Sequence, residues 1–142
     1  MTDAQKQKRI LRLADFVEKL PRKRFDFRHF VGGDWKGDKE LSCGTTACAL
    51  GWSTAIIYFR RLGLSIRSRG EYKGQVVLKG KLGYQRIADK VFGITEQEFN
   101  QLFIPVYPLD ETHGYLNGGA TPKQWARHAR RLVKEFYERQ NN

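Results

Sequence analysis

The segment from Thr121 to Phe136 constrains the fold most strongly, because its start and both of its faces can be predicted from residue order. Thr121 and Gln124 have the spacing of a capping box, with Pro122 at the first helical position. At the α-helical period one arc is apolar and the opposite arc is basic. The apolar arc consists of Trp125, Ala129, Leu132, Val133 and Phe136, and the basic arc of Lys123, Arg127, Arg130, Arg131 and Lys134. We therefore expect an amphipathic helix with one buried face.

Three more segments show helical periodicity. The first runs from about Asp3 and stops before Pro21, with apolar residues at three- and four-residue spacing. The second covers residues 82–92. The third begins at Thr95, which forms a capping box with Glu98 ahead of a short apolar stripe. These signals predict that most of the chain is helical.

Residues 45–62 are apolar around most of a helical circumference, which predicts a central buried helix. Thr45 or Thr46 would cap its start, and Gly63 would end it. The start of a helix offers unpaired backbone N–H groups to an anion. Gly44, Thr45 and Thr46 are therefore a candidate site for a phosphate or carboxylate. The alternative is a purely structural entry into the helix.

Together these segments predict a mainly α fold of about five helices around the helix at 45–62, within a single globular domain spanning residues 1–142. Between the helices, residues 65–78 alternate apolar and polar side chains, and Gly70 and Gly74 mark a turn. A small β-hairpin is expected there.

Charge is the unusual bulk property, since the formal net charge is +11. Residues 60–90 carry nine basic and two acidic side chains, whereas residues 91–120 carry four acids and no Lys or Arg. The predicted hairpin is the densest basic feature, with Arg67, Arg69, Lys73, Lys79 and Lys81. Such a field attracts polyanions. Alternatively, the cations protect strand edges from aggregation.

The basic arc of the last predicted helix is a second candidate surface. Lys123, Arg127, Arg130, Arg131 and Lys134 form a ridge that can follow the phosphates of a nucleic acid. A solvated helix face explains the same pattern. Both basic surfaces lead to one hypothesis, a non-enzymatic binding protein whose partner is nucleic acid, a nucleotide or an acidic protein surface.

The rival hypothesis is a cysteine-dependent enzyme. Cys43 precedes the predicted central helix, where backbone N–H groups stabilise a thiolate, and His113 is the candidate base. No catalytic signature surrounds Cys43. Metal binding would need His29, Cys43, Cys48 and His113 to converge, and their spacing matches no standard zinc site. We therefore expect no metal and no cofactor. A third hypothesis is a purely structural or interaction protein.

The longest apolar run, residues 47–59, is shorter than the roughly 20 residues that span a bilayer. The N-terminus is polar and basic, unlike a secretory signal. The two cysteines are too few for a disulfide framework. We therefore expect no membrane partner and a cytoplasmic location.

Several motifs resemble those of a group of short, uncharacterised bacterial and phage-type proteins. They are A-D-F-V-E at 14–18, F-D-F-x-x-F at 25–30, C-G-T-x-x-C-x-x-G at 43–51, F-G-I-T-x-x-E-F-x-x-L-F at 92–103 and A-T-P-K-Q-W-A at 120–126. The resemblance implies a shared fold and a mobile-element origin, with no catalytic residue to transfer. A phage-encoded inhibitor of a host system, acting in the host cytoplasm, would fit it. The basic stretch 60–90 departs from the group by its length and charge.

Overall fold

The computed structural model describes residues 1–27, 32–33, 45–105, 116 and 119–138. Within these residues the chain is mainly helical with a small antiparallel hairpin, which confirms the predicted fold class. The helices are α1 (Asp3–Glu18), α2 (Ala49–Ser53), α3 (Ile57–Arg61), α4 (Tyr84–Ile87, continued by a π-helical turn at Ala88–Phe92), α5 (Glu96–Phe103) and α6 (Pro122–Glu138). The strands are β1 (Gly32–Gly33), β2 (Thr45–Thr46), β3 (Leu64–Ile66) and β4 (Val76–Leu78).

The most extensive helix pair is α1 with α6. The two helices run antiparallel, since Arg130 contacts Asp15 and Glu18 near the end of α1, whereas Tyr137 lies near Asp3 at its start. Their facing apolar stripes are buried, and these stripes consist of Ile10, Leu13, Ala14, Val17, Trp125, Ala129, Leu132, Val133 and Phe136. The predicted apolar arc of α6 is therefore the face that enters the core.

A chain of aromatic rings connects α3, α4, α5 and α6. The ring of Phe92 lies 5.6 Å from that of Phe59 and 5.2 Å from that of Phe103. Phe103 also contacts Phe99 at 4.9 Å and Trp125 at 6.0 Å between ring centroids. The indole N–H of Trp125 donates to the carbonyl of Leu102 at 2.8 Å, so its polar atom is satisfied inside the core.

The predicted helix at 45–62 is wrong in its extent, because α2 and α3 are separate helices. Ser53 and Thr54 donate their hydroxyl protons to the carbonyls of Leu50 and Gly51, and such local bonds compete with helix continuation. Ile56 then takes an extended conformation before α3 begins. The apolar pattern runs through this break, so periodicity could not locate it. Every residue of α2 is buried, and the buried centre is this short helix.

The predicted helix start at Thr45 or Thr46 is also wrong. These two residues form β2, which pairs antiparallel with Gly32–Gly33 of β1. β-branched threonines suit an extended strand, and the pairing outweighs their capping tendency. The residue that caps α2 is Cys48. The candidate anion site therefore lacks the helix N-terminus on which it depended, and its third member, Gly44, lies outside the described residues.

The other predicted elements agree with the structure. The capping boxes predicted at Thr95 and Thr121 are both present, and Thr2 forms a further one with Gln5. The predicted hairpin is present as β3 and β4, with Ile66 opposite Val76. Across the described ranges, no helix combines the length and the apolar character that crossing a membrane requires.

The aromatic chain predicts that Phe103→Ala is strongly destabilising. The side chain is 2% exposed and contacts three other rings, so its removal leaves a cavity between α4, α5 and α6. We expect the free energy of unfolding to fall by about 3–5 kcal/mol in urea titrations. Phe103→Leu, which fills part of that cavity, is the matched control and should lose less. A loss below about 1 kcal/mol for Phe103→Ala would contradict the packing described.

Candidate functional site

The β3–β4 hairpin is held rigidly by the core. Leu64, Ile66, Val76 and Leu78 are all buried and belong to the main apolar cluster. The ladder continues past the strands, because the N–H of Arg67 donates to the carbonyl of Gln75 at 2.9 Å. The hairpin therefore presents its loop and turn residues to solvent from a fixed base.

A tight turn follows β4. Leu78 and Lys81 exchange two backbone hydrogen bonds, both 3.0 Å long. Lys79 and Gly80 between them both have positive φ, as a type I′ turn requires. The Lys79 N–H donates to the carbonyl of Gly63 at 2.8 Å, and a Cβ on Gly63 would lie 2.7 Å from Cγ of Lys79. Gly63 therefore lets the end of α3 approach this turn closely.

Arg67 links the long loop of the hairpin to this turn. Its guanidinium donates to the carbonyl of Glu71 at 3.5 Å and to the carbonyl of Gly80 at 3.3 Å. Both bonds are long, and the guanidinium keeps further N–H groups that neither carbonyl uses. Arg67 thus bonds the backbone of both the loop and the turn.

The hairpin surface, which we define as residues 60–81, carries seven basic residues and one acid, Glu71. Of the predicted binding residues here, Arg69, Lys73, Lys79 and Lys81 are exposed and Arg67 is half-buried. Within the described part of the chain, Arg61, Arg67, Arg69, Lys79 and Lys81 form no ion pair. Like charges that are concentrated without ion-pair partners among the described residues are what a polyanion would neutralise.

The hairpin surface also carries an exposed aromatic ring that sequence patterns did not single out. Tyr72, in the loop between β3 and β4, is 54% exposed and has a φ of 65°. This left-handed conformation favours Gly or Asn, and a large side chain adopts it at a cost of about 1 kcal/mol or more.

The sequence also did not predict that Arg61 belongs to the hairpin surface, because it indicated only that Arg61 lies at the C-terminus of a helix. The contact of Gly63 with the turn is what brings that helix end to the hairpin.

The basic arc of α6 differs from the hairpin surface, because part of it is paired within the molecule. Arg130 donates to Asp15 at 2.9 Å and also bonds Glu18, both on α1. Arg131 lies 3.9 Å from Glu135 and donates to Nδ1 of His128 at 3.0 Å. The exposed remainder of the arc is Lys123, Arg127 and Lys134. The predicted ridge of five cations is thus partly neutralised.

The two basic surfaces lie on different parts of the fold. α6 packs on α1 and α5, whereas the hairpin packs on α3 and α4.

A cleft of about 480 Å³ lies beside α4 and the start of α5, and it is lined by Arg86, Lys90, Asp89 and Glu96 among others. Its charges are of both signs, and Lys90 lies 3.7 Å from Asp89. The hairpin surface is the strongest positive feature of the described residues.

The residues of the rival enzyme hypothesis cannot be placed relative to each other, since Cys43 and His113 lie outside the described residues. The described cysteine, Cys48, is 2% exposed and its Sγ accepts from the N–H of Gly51 at 3.5 Å. Burial raises the pKa of the Cys48 thiol to about 11, outweighing the lowering effect of this hydrogen bond. In the ranges the structure covers, no three His, Cys, Asp or Glu side chains are grouped to hold a metal ion.

Cys48 is predicted to be inert toward thiol reagents in the native protein. Only the thiolate reacts, and a buried thiol with a pKa of about 11 supplies almost none at neutral pH. In a Cys43→Ala variant, in which Cys48 is the remaining thiol, Ellman's reagent should react negligibly before unfolding and stoichiometrically in urea. Rapid reaction of the native variant would contradict the burial of Cys48.

His128 is predicted to make stability fall on mild acidification. It is 4% exposed, and its Nε2–H donates to the carbonyl of Gln101 at 2.7 Å. Burial lowers the pKa of His128 below its ordinary value of 6.5, and the charge of Arg131 lowers it further. The unfolded chain therefore binds a proton at His128 more readily than the folded protein does. The contribution of neutral His128 to the free energy of unfolding is thus present above pH 6.5 and is lost as the pH falls below it.

We expect the free energy of unfolding to decrease between about pH 7.5 and 5.5, and the decrease to be smaller in His128→Gln. Urea titrations at the two pH values measure both quantities. An equal decrease in the two proteins would show that His128 does not govern this pH range.

Comparison with known proteins assigns neither a family nor a function to this chain. No family model matches the chain, and neither a curated protein nor a solved structure matches it. The resemblance to short bacterial and phage-type proteins therefore stays a prediction from the motifs. The function has to be inferred from the residues and geometry of this chain.

Proposed function

We propose that the protein is a non-enzymatic nucleic-acid-binding protein that contacts phosphates with its hairpin surface. One observation carries the proposal: residues 60–81 hold seven cations against one carboxylate, and five of these cations form no ion pair within the described residues. Mutual repulsion makes such a cluster unfavourable by itself. Binding of phosphates would remove that repulsion and release counterions.

Protection of strand edges explains this cluster less well. The strands are three residues long, and Arg69 and Lys79 lie in the loop and the turn beyond the paired residues. Charges that block edge pairing are effective when they lie along the edge strand itself. Cations on a loop and a turn instead project where a ligand can reach them.

Nucleic acid is a better match than an acidic protein. Protein–protein interfaces are depleted in Lys at their centres and need an apolar core. Six of the eight exposed side chains of the hairpin surface are cationic, and Tyr72 is its exposed large apolar group. Interfaces with nucleic acids are more polar and far more positive than those between proteins. The charge of the hairpin surface is therefore typical of an interface with nucleic acid.

The α6 arc has a smaller role in this proposal. Arg130 holds α6 to α1 through Asp15 and Glu18, and its side chain is 36% exposed. Lys123, Arg127 and Lys134 would add general attraction for phosphates at long range. If the motif resemblance reflects origin, the binding would serve a phage-encoded inhibitor of a host system, which is the biological setting we propose.

The experiment compares two variants of equal charge. Arg69→Gln, Lys79→Gln and Lys81→Gln together remove three cations from the hairpin surface, and Lys123→Gln, Arg127→Gln and Lys134→Gln together remove three from α6. Binding of labelled nucleic acid across a salt series gives an affinity and a slope for each protein. The hairpin variant should bind at least tenfold more weakly, and its slope should fall by about 2–3.

The α6 variant is the matched control, because it has the same net charge as the hairpin variant. We expect it to retain most of the affinity and slope. Equal weakening of both variants would mean that net charge alone causes binding. Absence of binding by the natural sequence at low salt would overturn the proposal.

A further inference from the structure

We infer that the hairpin surface selects single-stranded nucleic acid by stacking a base on Tyr72. The inference rests on the proposed function, and it assigns a ligand class and a specificity residue to the same surface. A single strand exposes the faces of its bases, whereas a duplex hides them within its own stack. The exposed ring of Tyr72 can stack on a base of a single strand, whereas the bases of a duplex are not accessible to it.

Exposure distinguishes Tyr72 from the other rings. It is the one aromatic side chain that is more than half exposed among the residues whose burial the structure describes. The remaining described rings are buried or half-buried, and most contact another ring. Tyr72 is not part of the apolar cluster that the described residues form. Its face is therefore open to a planar ligand.

The local backbone gives no reason for a large ring at this position. The loop is closed by hydrogen bonds from Lys73 N–H to the carbonyl of Gly70 at 3.3 Å and from Gln75 N–H to the carbonyl of Tyr72 at 3.1 Å. Neither bond involves the side chain of Tyr72. With a φ of 65°, Gly or Asn would suit the loop better than Tyr. The ring thus occupies a backbone conformation that disfavours it.

Tyr72 lies in the same short segment as two cations, Arg67 and Arg69. The carbonyl of Glu71, the preceding residue, accepts from the guanidinium of Arg67 at 3.5 Å, which places that cation beside the peptide that joins Glu71 to Tyr72. Arg69 is in the same loop and is exposed. A nucleotide joins one base to one phosphate, so a binding surface needs an aromatic face and cations within one short segment. Residues 67–72 supply both.

The test uses Tyr72→Asn, which suits a left-handed backbone, and Tyr72→Phe, which keeps the ring. The probes are labelled oligo-dT and oligo-U of about 20 nucleotides, an abasic strand of equal length and a duplex of equal length. We expect the natural sequence to bind the strands with bases more tightly than the abasic strand or the duplex. The two sugar types distinguish DNA from RNA as the source of the ligand.

Tyr72→Asn should lose about tenfold in affinity for the strands with bases and should bind the abasic strand unchanged. Tyr72→Phe should bind like the natural sequence. Thermal unfolding of Tyr72→Asn should be unchanged or shifted to higher temperature, whereas a merely structural ring would make this variant less stable. This combination separates stacking from folding.

The inference is overturned if Tyr72→Asn binds oligo-dT and oligo-U as tightly as the natural sequence, or if the duplex or abasic strand is bound equally well. Those results would leave phosphate binding by the hairpin surface intact. Failure of every probe to bind the natural sequence at low salt would instead overturn the proposed function. The two failures are therefore distinguishable.

Discussion

Contact between aromatic rings at Phe103 is the interaction on which the rest of the structure depends. Its neighbours Phe92, Phe99 and Trp125 come from α4, α5 and α6, and Phe92 extends the contact to Phe59 of α3. Helices this short are not stable alone, so they need tertiary packing to form. Burying several large rings supplies that packing and determines how the short elements are arranged.

This core also determines where charge can be exposed. The inward residues of β3 and β4 belong to the same apolar cluster as the rings, so the hairpin is held at both strands. Its loop and turn project away from that anchor, and Arg69, Lys79 and Lys81 on them form no ion pair within the part of the chain that the structure describes. On α6, by contrast, Arg130 bonds Asp15 and Glu18 and contributes to helix pairing. The cations of the hairpin and those of α6 therefore differ in how far they are paired within the described residues.

Local signals were sufficient for the capped helices and the hairpin, because a capping box or a Gly-marked turn depends on neighbouring residues only. Three features depended on information outside the pattern. The break between α2 and α3 arises from hydroxyl-to-carbonyl bonds of Ser53 and Thr54 within a continuous apolar run.

The pairing of Arg130 depends on the antiparallel placement of α1, which residue order along α6 does not encode. The left-handed backbone at Tyr72 runs against local propensity, and such positions are where sequence rules are expected to fail near functional surfaces. The sequence thus predicted which basic residues belong to the candidate surfaces. It did not predict which of them are paired, or that the ring of Tyr72 is exposed.

The central claim is that nucleic acid contacts the hairpin surface. Titration of the isotopically labelled protein with unlabelled oligo-dT, followed by amide NMR shifts, measures this contact residue by residue. We expect the largest shifts on residues 67–81 and only small shifts on residues 123–134 of α6. Shifts concentrated on α6, or spread evenly over all basic residues, would contradict it.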